Sequence, residues 1–255
     1  GKGKQGALEL FSRLFGVRQG PRMASAFNQL NAFQVQLNTT GTAEQKVAKQ
    51  TILDNTITLL AGSAGSGKTL LACNVALDGL FSKQYDKIII TRPTVSKEDI
   101  GFLPGDMREK MDPWVQPIYQ NFYTLYGKEK MEKYLENGQI EIVPVSFMRG
   151  RTFLDSLIIV DEAQNVTHEQ MEMIVSRIGV RSKMIICGDD HQIDLKKRSD
   201  SGFRFLYSAS KKVKNLEAIK LLTNHRDPIV EDILEYYEEK LSHITSSSFS
   251  GSTKK

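Results

Sequence analysis

A chain of 255 residues that is 40% hydrophobic can bury a sizeable core, in one large domain or two small ones. Its formal charge of +4 is mildly basic, which permits a nucleic-acid partner without requiring one. Cys73 and Cys187 lie in apolar segments with no metal-like spacing, and no apolar run is long enough to cross a membrane; a reduced, cytoplasmic protein without a membrane partner is expected.

In chain order, residues 1–37 read as an N-terminal extension. Residues 7–15 carry apolar side chains at helical spacing, residues 16–21 break that pattern, and residues 23–37 follow no clear period. From Thr42 onward strands and helices alternate. Strands are predicted at 56–61, 87–91, 140–143, 157–161, 183–187 and 216–221, and helical periodicity runs over 70–77, 169–178 and 202–212. The strands are apolar almost throughout, as in a parallel sheet covered on both faces. Right-handed β-α-β crossovers then give a doubly wound α/β domain over residues 38–242, followed by a Ser-, Gly- and Lys-rich tail over 243–255 that is expected to be disordered. Between the second and third strands lies a shaped loop at 101–106, then a segment bearing Pro113, Trp114, Pro117 and Tyr119. Those aromatics either stack on nucleic-acid bases or cap the sheet.

Gly62-Ser63-Ala64-Gly65-Ser66-Gly67-Lys68-Thr69 reads G-x-x-x-x-G-K-[ST], with a predicted strand before it and a predicted helix after it. Glycines let the backbone curl so that successive N–H groups face phosphate oxygens, and the helix dipole adds positive potential. Residues Gly62 to Thr69, with Leu70 in the first helical turn, are therefore candidates for binding a nucleotide. Lys68 reaches the terminal phosphates and the Thr69 hydroxyl binds Mg2+. Such a site needs carboxylates. The apolar run 157–160 delivers Asp161 to the carboxyl end of a strand, where it would hold the metal opposite Thr69, and Glu162 would take a proton from attacking water. After the next strand comes Gly188-Asp189-Asp190-His191-Gln192, in which Gln192 can sense the γ-phosphate by hydrogen bonding; taken alone, the Gly-Asp-Asp is ordinary turn chemistry.

Thr42-Ala43-Glu44-Gln45 fits a capping box in which Gln45 returns to the cap N–H. Arg92, Arg149, Arg151 and Arg226 are the arginines that could meet charge on a γ-phosphate. Arg149-Gly150-Arg151, flanked by Phe147 and Phe153, reads equally as a solvated basic turn. The histidines are dispersed and offer no metal-ligand spacing.

From about Gln45 to Leu195 the chain resembles the PhoH-like family, the phosphate-starvation-inducible ATPases. The resemblance is carried by the P-loop, Thr91-Arg92-Pro93, Gly101-Phe102-Leu103-Pro104-Gly105-Asp106, Met148-Arg149-Gly150-Arg151-Thr152, Asp161-Glu162-Ala163-Gln164-Asn165 and residues 188–195. It implies a RecA-like P-loop NTPase domain related to the superfamily 1 helicase core, an ATPase using ATP and Mg2+ and acting on RNA or single-stranded DNA. Two departures stand out. No PIN-type nuclease domain is expected ahead of the ATPase, and the segment from Asn224 differs from the usual bacterial pattern. By the helicase analogy Gln45 is a candidate adenine reader, and residues 221–226 resemble the segment that carries a γ-phosphate arginine, here Arg226. Superfamily 1 helicases complete the site with a second RecA-like domain. The sequence after Leu221 is expected to hold only one helix and a tail, so a head-to-tail homo-oligomeric ring, a hexamer, is expected, with Arg151 or Arg226 given to the neighbour. The competing functions are a small-molecule kinase and a nucleotide-switched regulatory module.

Overall fold

The computed structural model describes residues 42–93, 107–189, 192, 198–225, 227–230, 232, 233 and 236; of residues 107–114 and 198 it describes the backbone alone. The expectations for residues 1–37, for the loop at 101–106, for Trp114, for Arg226 and for the tail fall outside this set. In chain order the elements are α1 (Ala43–Asp54), β1 (Ile57–Gly62), α2 (Lys68–Phe81), β2 (Lys87–Thr91), α3 (Met107–Tyr126) and α4 (Lys128–Glu136). They continue with β3 (Ile140–Ile142), α5 (Val145–Met148), β4 (Ser156–Val160), α6 (His168–Val175), β5 (Lys183–Gly188), α7 (Gly202–Ala209) and β6 (Leu216–Leu221). Short 3-10 turns span Ala163–Asn165 and Arg198–Asp200.

The six strands form one parallel sheet in the order β3-β2-β4-β5-β1-β6. Alternation of side chains along each strand builds two cores from one sequence. Leu60, Ile88, Ile90, Leu157, Ile159, Ile185 and Cys187 face α1 to α4, where Ile52, Leu71, Leu77, Phe122 and Met131 meet them. Their neighbours Leu59, Ile89, Ile158, Val160, Met184 and Ile186 face α5, α6 and α7 through Met148, Ile174 and Phe203. Each such fully buried aliphatic side chain contributes about 1.5–3 kcal/mol of transfer free energy, which is why the strands tolerate so few polar residues.

Several boundaries move from the sequence expectation, each for a local reason. Strand β4 ends at Val160 rather than Asp161 because Glu162 turns into the left-handed region, φ 54°, although the Asp161 N–H still reaches Thr91 O at 2.9 Å. Helix α6 starts at His168 and stops at Val175, where the Arg177 and Ile178 N–H groups tighten to i−3 carbonyls. Helix α7 ends at Ala209, three residues short of the predicted 212, in a turn that bonds both Lys212 and Val213 back to Ala209 O. In the long α3 Tyr119 and Phe122 are buried, and Tyr123 and Tyr126 are half-buried against the core, so these aromatics cap the sheet rather than stack on bases.

Candidate functional site

The parallel topology brings the carboxyl ends of β1, β2, β4 and β5 to one edge, where loops from different strands converge. The loop after β1 is tight. Ser66 N–H donates to Ser63 O at 3.2 Å, and the His225 N–H donates to Gly65 O at 3.0 Å. Gly62 has no room for a side chain: a Cβ there would lie 2.6 Å from Ser66 Oγ and 2.9 Å from Leu221 O. Gly67, at φ 81° and ψ 11°, is the N-cap of α2, and no side chain caps that helix. The first N–H groups of α2 are thus left for an anion in the loop. Lys68 is buried although charged, and its Nζ donates to Ser63 O at 3.2 Å, which folds the side chain back along the loop. Ser66 Oγ is buried with no hydrogen-bond partner among the described residues, a polar atom suited to a ligand oxygen.

Thr69, one residue into α2, donates its hydroxyl to Asp161 Oδ1 at 2.9 Å. Two hard oxygen donors from separate elements therefore meet, a pairing that fits a divalent cation such as Mg2+. Asp161 is almost wholly buried; burial pushes its carboxyl up, and the Glu162 charge adds to that rise. Arg92, the Thr69 hydroxyl and Lys68 pull the other way. Arg92, just past β2, sits with Nε 3.9 Å from Asp161 Oδ2 and Nη2 3.5 Å from Glu162 Oε1. The other oxygen of Glu162, Oε2, accepts from Gln164 Nε2 at 2.7 Å. Gln164 in turn accepts the Asp189 N–H at 3.2 Å.

On the other flank of the loop, Gln45 forms the expected capping box with Thr42, its Oε1 accepting the Thr42 N–H at 3.1 Å. Its Nε2 stands 3.4 Å from His225 Nε2. A Cβ on Gly67 would lie 3.4 Å from Gln45 Nε2 and 3.6 Å from His225 Cδ2, so both side chains stand over the glycine turn. Glu44 fastens the segment that carries His225, accepting N–H bonds from Leu222 at 2.5 Å and from Thr223 at 3.1 Å.

The residues Gly62 to Leu70, Gln45, Asp161 and Glu162 are thus brought to one edge of the sheet. Gln192 is exposed, whereas Asp189 is buried, so the two do not share one environment. Arg151 does not join the cluster. Its Nη1 donates to Glu141 Oε1 at 2.8 Å and its guanidinium lies 4.8 Å from the Phe153 ring centroid. Glu141 belongs to β3, four strand positions from β1, roughly 19 Å at the usual strand spacing. Arg149 meets Glu169 at 3.9 Å on the surface. Glu44, Gln164 and His225 were not singled out by their sequence positions. Gln164 stands two residues after Glu162, the one local signal available, while the Glu44 contacts join residues some 178 positions apart.

The parallel α/β fold and its glycine loop define a P-loop NTPase domain. Residues 38–238 match the family model described as PhoH-like protein, and the chain belongs to that family. Among curated relatives, a PhoH-like protein of Synechocystis sp. is 39% identical over 200 residues, covering 77% of this chain and 61% of the relative. One from Bacillus subtilis is 43% identical over 182 residues, 70% of this chain and 57% of the relative. Protein PhoH of Escherichia coli K12 is 44% identical over 144 residues, 55% and 41% of the two chains. The chain thus spans about three fifths of the length of the first two relatives. Among solved structures, the Pif1 helicase from Candida albicans aligns with a TM-score of 0.41 at 17% identity over 76% of this chain and 43% of that one. The Pyrococcus furiosus Hef helicase domain aligns at 0.44 and 13% identity over 72% and 39%. No helix among the described residues is long and apolar enough to cross a membrane.

Proposed function

We propose that this chain hydrolyses ATP and couples the turnover to RNA or single-stranded DNA. The observation that carries the reading is the Thr69 hydroxyl at 2.9 Å from Asp161 Oδ1 beside Lys68, with Glu162 next in the chain. The backbone of residues 62–70 and the Lys68 ammonium bind the phosphates, and Thr69 with Asp161 holds Mg2+, which when bound neutralises phosphate charge. Glu162 accepts a proton from the attacking water. A carboxylate in that place favours water over a small-molecule acceptor, which sets hydrolysis ahead of a kinase. Gln192 senses the terminal phosphate from the loop after β5, and Gln45 contacts the base.

Membership of the PhoH-like family supports the nucleic-acid part, as does the exposed Phe147 close in sequence to the solvent-facing Arg149 and Arg151, a stacking ring beside cations. Arg151 is too far along the sheet to serve its own loop, so any role for it in hydrolysis belongs to the site of a neighbouring copy. A head-to-tail ring, with Arg151 or Arg226 acting in trans, is the assembly that accommodates this.

The test is phosphate release from MgATP with and without RNA and single-stranded DNA, alongside mass in solution. Glu162→Gln should still bind ATP but lose turnover by about 100-fold or more. Retained turnover in that variant would remove Glu162 as the base, and a rate indifferent to both polynucleotides would remove the coupling.

A further inference from the structure

We propose that Gln164 is the residue that aims the Glu162 carboxylate and fastens it to the exit of β5; the proposal rests on the reading of Glu162 as proton acceptor. Glu162 occupies the left-handed region at φ 54° and ψ 42°. A side-chain-bearing residue stays there only when its surroundings hold it. The carboxylate is gripped at both oxygens, by Gln164 Nε2 at 2.7 Å on Oε2 and by Arg92 Nη2 at 3.5 Å on Oε1. The shorter contact comes from a side chain only 3% exposed.

Gln164 is itself fixed at two further points. Its Oε1 accepts the Asp189 N–H at 3.2 Å, just beyond β5. Its backbone carbonyl accepts the Ser201 hydroxyl at 2.8 Å, and Ser201 is the N-cap of α7, its Oγ accepting the Arg204 N–H. These partners also fix which way the amide points. Turned over, it would press an oxygen against a carboxylate and an NH2 group against an N–H. One side chain thus joins the ends of β4 and β5, while its backbone joins the start of α7. The loop leaving β5 is the one that carries Gln192. Through that single amide the orientation of the base is tied to the position of the β5 exit at Asp189.

The test uses the full chain and measures steady-state ATP turnover, equilibrium binding of a fluorescent ATP analogue and the thermal midpoint in Gln164→Leu, Glu162→Gln and the double variant. Gln164→Leu should lower kcat about 10- to 100-fold, the cost of a misaimed base, while KM and analogue affinity stay within about threefold. In the Glu162→Gln background the same change should cost nothing more, because the group it aims is gone. Full kcat in Gln164→Leu with turnover lost in Glu162→Gln overturns this proposal alone. Full turnover in Glu162→Gln overturns the reading of the base and this proposal with it. An equal loss from Gln164→Leu in both backgrounds assigns Gln164 a merely structural role and also overturns it. Should Gln164→Leu lose analogue binding through misfolding, Gln164→Met, unbranched and of similar length, carries the same comparison with the same outcomes.

Discussion

Replacing Glu44 with Ala probes how residues 222–225 are held against the P-loop. In the native chain the Glu44 carboxylate accepts the N–H groups of Leu222 and Thr223 at 2.5 and 3.1 Å, and two residues beyond Thr223 the His225 N–H bonds Gly65 O at 3.0 Å. A charge-assisted hydrogen bond is worth about 1.5–3 kcal/mol when desolvated. Glu44 is half-buried and its bonds lie at the surface, which reduces each bond to roughly 0.5–1 kcal/mol. The pair then holds the segment by about 1–2 kcal/mol, a factor of roughly 5–30 in its docking equilibrium. Glu44→Ala should raise amide exchange at Leu222, Thr223 and His225 by up to that factor and weaken ATP binding by no more than about 30-fold, with kcat at saturation unchanged. A pH test follows. Partial burial pushes the Glu44 carboxyl up, but the Leu222 and Thr223 bonds and the nearby His225 outweigh it and hold the carboxyl below its ordinary 4.5. The stabilisation is therefore complete above that value and lost as pH falls through the lowered one. Native and Glu44→Ala chains should differ fully in exchange above pH 4.5 and converge only as pH falls through the lowered value. Protection at 222–225 that is the same in both chains at neutral pH would refute the reasoning.

Lys183 is buried, and its Nζ donates to the carbonyls of Ile52 at 2.6 Å, Leu53 at 3.0 Å and Asn55, which end or follow α1. Lys183→Met strands those carbonyls but relieves the ammonium of its desolvation cost; a net loss of about 2–4 kcal/mol is expected, lowering the thermal midpoint by roughly 5–15 °C. An unchanged midpoint would mean that water re-satisfies the end of α1. Gln45→Ala removes the acceptor of the Thr42 N–H, costing about 0.5–1 kcal/mol of stability. If Gln45 Nε2 also reads adenine, the preference for ATP over GTP falls about tenfold, the worth of one hydrogen bond; an unchanged ratio confines Gln45 to capping.

The sequence alone determined the features that depend on neighbours in the chain. The glycine loop at 62–67 needs only its own backbone freedom, and a strand buried on both faces needs only a near-continuous apolar run along its own segment. Asp161 and Glu162 were legible because a buried strand can deliver carboxylates only at its end. The Gln45 capping box was legible because its two hydrogen bonds span three residues. The segment over 107–126 was not, since a helix carrying Pro113 and Pro117 reads like a broken one until Val115, Ile118 and Phe122 are seen packed in the core. What only the tertiary structure decided are the contacts that need distant segments to meet: Thr69 against Asp161, Gln164 against the β5 exit, Glu44 against Leu222 and Thr223, and Lys183 under α1. Strand order decided them. Placing β5 beside both β1 and β4 sets the two carboxylates, the P-loop and the loop after β5 along one edge, and placing β3 at the far side removes Arg151 from it. No local pattern encodes that order, because parallel strands buried on both faces carry nearly the same apolar text and are told apart by how their side chains interlock.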